Sequence, residues 1–162
     1  MIVQLFMETT PTEDETAAAK PAIRTEPMPP TSSAPIRHHT FDRCNALRSG
    51  VRTLLRLAVE GAFDLWQGKP TSAHLARFDL VFEEQRRAMG SMCITGGEAD
   101  YSFLIRKAQA ALDAFGRTVS NDIAGGVERG MDELAFYEQL NRAKESAIRA
   151  ADCIGRIQVA AG

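Results

Sequence analysis

Residues 101–119 read YSFLIRKAQAALDAFGRTV, and within them Tyr101, Leu104, Ile105, Ala108, Ala111, Leu112, Phe115 and Val119 stand at helical spacing. A backbone that turns once every 3.6 residues gathers those side chains on one face, whereas a strand would scatter them over two. The stretch therefore predicts an amphipathic helix, and the same spacing carries it on to Ile123. Just upstream, Thr95 stands three residues before Glu98, the pattern of a capping box.

The same periodicity recurs on either side. Residues 41–66 put Cys44, Leu47, Val51, Leu54, Ala58, Ala62 and Leu65 on one stripe, which Leu55, Val59 and Trp66 widen. Gly50 and Gly61 return to nearly the same face after three turns, where they either permit a close helix crossing or weaken the helix. A second segment opens at Thr71 or Ser72, after Pro70, and carries Leu75, Phe78, Val81, Phe82, Ala88, Met89 and Met92 on a side that Gln85 interrupts. The last segment carries Phe136, Leu140, Ala143, Ala147, Ala150, Ile154 and Ile157, and its alanines leave room for a neighbouring helix. Glu138 with Arg142, and Glu145 with Arg149, mark its wet face.

Gln67 to Pro70, Thr95 to Gly97 and residues 121–130 separate these four segments. No run alternates with period two, and no repeat is visible. The expected fold is all-α: an antiparallel four-helix bundle over residues 41–162, because short connections force sequential helices to run in opposite directions. The alternative is three helices, with the third and fourth segments joined through residues 121–130 into one long kinked rod.

The region before residue 41 has different physics. Six of the seven prolines fall there, on a Thr/Ser/Glu/Ala background without glycine. Such a segment buries too little apolar surface to offset its ordering entropy, so residues 1–40 are read as a disordered tail, either inert or a tether.

Composition narrows the function classes. Net charge is −2, and residues 41–162 balance 16 acidic against 16 basic side chains, which with the lack of a recognition motif argues against nucleic acid as a partner. Cys44, Cys93 and Cys153 are odd in number, far apart and set among apolar neighbours, as thiols of a reducing compartment are. The apolar run of residues 1–7 is too short and too soon acidic for a signal peptide, and no stretch approaches the roughly 18 apolar residues that cross a bilayer. A cytoplasmic location is the expectation.

Motifs for chemistry are scarce. No pair of Glu-x-x-His elements supports a metal in a bundle, and His38 and His39 adjoin the tail. Thr95-Gly96-Gly97-Glu98 suits a helix cap better than a phosphate loop, since it follows no strand and lacks the lysine. No catalytic residue, metal or cofactor is expected. His74, early in the second segment with Arg77 one turn on, resembles histidine phosphotransfer modules, which are four-helix bundles with an exposed phosphoacceptor histidine; the resemblance implies phosphoryl transfer at His74, although those modules favour a small residue close after the histidine where this chain has Leu75, Ala76, Arg77 and Phe78. Residues 62–89, a helix, a short Gly-Lys-Pro turn and a helix with Phe78, Phe82, Glu84 and Gln85, resemble the amphipathic helices of phasins, which coat polyester granules. That resemblance implies binding to an apolar surface.

Arg48, Arg52 and Arg56 form a row at successive turns of the first helix, with Arg37 and Arg43 upstream and Asp42 opposing. Glu60 and Asp64 continue the row, so the helix is basic at its start and acidic at its end, against the direction its macrodipole favours. Either acids of a neighbouring helix compensate, with Asp79, Glu83 and Glu84 as candidates, or an acidic protein surface or phosphate-rich ligand docks there. The expected function is a non-enzymatic protein–protein interaction module of adaptor, chaperone or inhibitor type, with Arg48, Arg52 and Arg56 as its partner-binding residues. Self-association through the alanine-rich last helix is a further expectation.

Overall fold

The computed structural model describes residues 33–92 and 99–161, with side chains described over 39–92 and 102–160. The tail reading for residues 1–32, Cys93 and the Thr95/Glu98 cap lie outside the described residues. The chain divides into two units, Met1–Arg37 and His38–Gly162, and the helical bundle belongs to the second.

Every described element is helical. Helix α1 spans Ser33–Trp66, starting earlier than Phe41, where the stripe begins. Pro35 does not prevent this, because the first turn of a helix has no intrahelical acceptor for its N–H groups. The stripe is buried as spaced, with Cys44, Leu47, Val51, Leu54, Ala58 and Ala62 all within the core, joined by Leu57 on the flank towards the second helix. At the C-terminal end Gly68 takes φ +87, and Lys69 N–H donates to Asp64 O at 3.1 Å, closing a left-handed cap.

Helix α2, Ala73–Gly90, starts at Ser72, whose hydroxyl accepts from Leu75 N–H. It anchors chiefly through Phe78 and Met89. Its run beside α1 settles the role of the two spaced glycines. A Cβ on Gly61 would stand 2.6 Å from Leu75 Cγ, and one on Gly50 would collide with the Gln85 amide, so both permit the close crossing. Gln85 interrupts the apolar side of α2 because it fills the space that Gly50 leaves.

Helix α3, Ala99–Arg117, does not stop where the Asn/Asp/Gly run was expected to break it. The chain continues as a π-helical segment, Thr118–Ala124, and a last α-turn, α4, Gly125–Glu128. Burial overrides local propensity here. Val119 and Ile123 are core residues, and the wider π turn keeps both on the inner side, while Thr118 Oγ1 donates to Ala114 O at 3.0 Å in place of a regular backbone pairing. The rod ends at Gly130, φ +84, where Gly130 N–H donates to Val127 O and Met131 N–H to Gly126 O. The kinked-rod alternative therefore fails at residues 129–132, and four long helices result.

Helix α5, Glu133–Ala161, is capped by Asp132, whose carboxylate accepts from Ala135 N–H at 2.8 Å. Phe136, Leu140, Ala143, Ala147, Ala150, Ile154 and Ile157 are each no more than 5% exposed. The alanines are buried within this bundle, so self-association through this helix would have to use its outer face.

Cross-helix contacts fix the directions. Arg43 of α1 bonds to Ala88 O and Ser91 beyond Met89, and Gly61 meets Leu75, so α1 and α2 are antiparallel. Phe78 meets Phe115 while Arg86 reaches back to Asp113. Arg48 meets Gln158, and Trp66 stacks on Phe136 at 4.6 Å, so α1 and α5 are antiparallel too. Phe63, Trp66, Phe136 and Tyr137 form an aromatic cluster that closes one end of the core.

Candidate interaction surface

The arginine row divides when folded. Arg48 is half-buried and leans onto α5, where Nη1 donates to Gln158 Oε1 at 3.1 Å and the guanidinium lies over Gly155. Gln158, itself 6% exposed, passes the interaction back to α1 by donating from Nε2 to Asn45 Oδ1 at 2.7 Å. Arg48 thus ties α1 to α5. Its Nε is buried without a hydrogen-bond acceptor among the described residues.

Arg52 and Arg56 point to solvent. Arg56 pairs with Glu60 one turn on, at 3.4 Å and with both side chains largely exposed, while Arg52 makes no ion pair among the described residues. The acids expected to compensate lie elsewhere: Glu83 pairs with Arg86 on its own helix, and Asp79 and Glu84 are exposed on α2. The outer strip of α1 therefore offers two accessible guanidinium groups, with Phe41, 42% exposed, towards its N-terminal end.

A second polar cluster was not legible from spacing. Asp64, 9% exposed, accepts from Lys69 Nζ at 2.8 Å, from Ser72 Oγ at 2.8 Å and from His74 Nδ1 at 2.7 Å. His74 also holds Glu60 Oε1 with Nε2 at 3.2 Å. Hydrogen bonds from His74, Lys69 and Ser72 hold the Asp64 carboxyl well below the usual carboxylate range. Ser72 is at once the cap of α2 and a donor to Asp64, so the cluster clasps the end of α1 to the start of α2. Asp64 lies on the α2 side of its helix, which helical spacing could have placed, but its three donors sit across a turn that spacing does not describe.

Two open recesses flank the π-helical segment. One, of about 490 Å³, lies between α2 and α3 with Phe78 and Phe82 in its floor and Asp79, Glu83, Arg86 and Asp113 among its rim residues. The other, of about 300 Å³, includes Asp122, Arg129 and Gln139. Among the described residues no group of three His, Cys, Asp or Glu side chains is placed to hold a metal ion, and no helix is long and apolar enough to cross a membrane. Cys44 and Cys153 are buried free thiols, and burial pushes the Cys44 thiol up, away from the reactive thiolate form.

Compared with protein-family models, curated proteins and solved structures, the chain matches none.

Proposed function

We propose that this chain is a non-enzymatic helical module that binds another protein, as adaptor, chaperone or inhibitor, through the outer strip of α1. The observation that carries the reading is the exposure of Arg52 and Arg56 on the outer strip of α1, where among the described residues no acid of another helix pairs with either and Arg56 meets only Glu60 of its own helix. Planar guanidinium groups suit carboxylates on a partner surface, and Phe41 supplies apolar area on the same helix. Arg48, the third member of the row, is a supporting residue in this reading, because its guanidinium is engaged with Gln158. The cytoplasm is the setting, on the strength of two buried, unpaired thiols.

The other two readings gain less support. A phosphoacceptor histidine needs a free ring nitrogen, and both nitrogens of His74 face carboxylates. A coat for apolar surfaces needs apolar side chains turned outward, and Ala62, Phe78 and Met89 are each at most 1% exposed.

The test is affinity capture from the native host with the 162-residue chain, compared with an Arg52→Glu/Arg56→Glu variant whose circular dichroism matches it. A partner retained by the parent and lost by the variant supports the reading. Capture of the same proteins by both, with unchanged affinity for the recombinant partner, overturns it.

A further inference from the structure

Among the described residues seven large apolar side chains are exposed, and four of them lie on α5: Leu134, Tyr137, Ile148 and Val159, between 43% and 81% exposed. At 3.6 residues per turn these four fall within an arc of about 60°. Tyr137, Ile148 and Val159 recur every eleven residues, three full turns, so the strip runs nearly parallel to the helix axis. The inward face of α5 is already occupied by the core, which makes this a second seam on the same helix, turned outward and apolar but for Asn141.

The adjoining flank carries Glu138, Arg142, Glu145, Arg149, Asp152 and Arg156, alternating in sign along the helix and all exposed. Each acid stands four residues before a base, spacing that allows an internal ion pair. Among the described residues none of the six forms one within 4.0 Å. Their order has a symmetry that a partner of the same sequence can use. In an antiparallel helix pair related by a two-fold axis, each flank of the seam meets its own copy, with position i facing the position equally far on the other side of the axis. With the axis level with Ala147, Glu138 faces Arg156, Arg142 faces Asp152 and Glu145 faces Arg149, so every contact pairs opposite signs. The same register puts Ile148 beside its copy near the axis and brings Leu134 to within one residue of the level of the partner's Val159. A parallel pair in register would set Ile148 against Ile148 but would turn the two charged flanks to opposite sides of the seam, where they cannot pair.

We propose that the chain forms a homodimer through the outer face of α5, paired antiparallel about a two-fold axis beside Ile148. The 29 residues of α5 span about 43 Å, a seam long enough for apolar contacts at the centre and both ends. This face is distinct from the outer strip of α1, so the dimer does not depend on the protein partner proposed above.

Sedimentation velocity of the full chain over a range of concentrations tests it. The expected result is a species of about twice 17.7 kDa whose population rises with concentration and falls with added salt. Ile148→Asp, a change at an exposed position, returns the chain to monomer with its circular dichroism unchanged. Glu145→Arg and Arg149→Glu each abolish self-association by setting like charges across the axis, yet an equimolar mixture of these two variants forms a heterodimer, and the double charge swap in one chain restores the homodimer. An effect confined to the helix's own i,i+4 pairs cannot produce rescue in the mixture. A parent chain that stays monomeric up to its solubility limit overturns the proposal. So does a dimer indifferent to Ile148→Asp, or a mixture that remains monomeric.

Discussion

The imidazole of His74 places Nδ1 2.7 Å from Asp64 Oδ2 and Nε2 3.2 Å from Glu60 Oε1, bridging two carboxylates of α1 that lie one turn apart. With Lys69 and Ser72 on the same carboxylate, the turn between α1 and α2 is fastened by side chains as well as by backbone caps.

This clasp gives stability a definite dependence on acid. The Asp64 carboxyl titrates lower in the folded chain than in the unfolded chain, where a carboxylate of this type has a pKa of about 3.9. The unfolded state therefore binds the proton more readily as pH falls. The contribution is fully present well above pH 4 and is lost progressively below it. Thermal unfolding followed between about pH 2.5 and 7 is expected to show a steeper acid-side loss in the parent than in Asp64→Asn, with the parent more stable at neutral pH. Equal slopes for the two proteins would show that the clasp contributes nothing in solution.

The division of the arginine row makes a second prediction. Arg48→Ala removes a bond from Gln158, a side chain only 6% exposed, and leaves its carbonyl oxygen with an unmet acceptor, at a cost of about 1–3 kcal/mol. Arg52→Ala removes nothing that the bundle uses and is expected to stay within about 0.5 kcal/mol of the parent. Urea titrations read by circular dichroism separate the two, and equal midpoints would return Arg48 to the accessible strip.

The inward faces of α1, α3 and α5 were legible because burial on a regular helix needs only spacing, and most of the residues so chosen, from Cys44 to Ile157, are the core, while Leu65 and Leu104 are half-buried and the side chain of Tyr101 lies outside the described residues. Spacing carried the third helix on to Ile123, but residues 124–128 were not legible as its continuation. Asn121, Asp122, Gly125 and Gly126 have poor helix propensity, and only the packing of Val119 and Ile123 reveals why the chain stays coiled through them. The row Arg48, Arg52 and Arg56 was visible as a row, but which member turns inward depends on Gln158, 110 residues away. The outward seam of α5 was present as the eleven-residue recurrence of Tyr137, Ile148 and Val159, and the stronger inward alternation masked it.

The close crossing of α1 and α2 predicts an asymmetric tolerance at its glycines. In an exposed helix interior, replacing glycine with alanine stabilises by roughly 0.5–1 kcal/mol through backbone entropy. At Gly61 that gain is opposed by Leu75, whose Cγ stands 2.6 Å from where the new Cβ would be, with its backbone N 3.2 Å away and unable to yield. Gly61→Val is expected to cost about 1–3 kcal/mol by forcing the helices apart. Gly90, with open space around it, should accept alanine without loss, and denaturant midpoints of the two variants should move in opposite directions or differ clearly in size.

The aromatic cluster at the end of the bundle makes the largest prediction. Phe136 is fully buried in the first turn of α5, stacked on Trp66 at 4.6 Å and 19°, and met edge-on by Phe63 at 5.4 Å. It thereby joins α5 to the last turn of α1 with no backbone contact needed. Phe136→Ala opens a cavity that Trp66 and Phe63, already held by their own helix, cannot both collapse into, so the cost should lie at about 3–5 kcal/mol. Phe136→Leu keeps much of the volume and loses the ring stacking, and is expected to cost less than half as much. Trp66 fluorescence reports directly on this contact: in Phe136→Ala its emission should shift to the red in the native state, before unfolding begins. An unshifted emission with a small stability loss would mean that the cluster is a surface association of rings rather than the closure of the core.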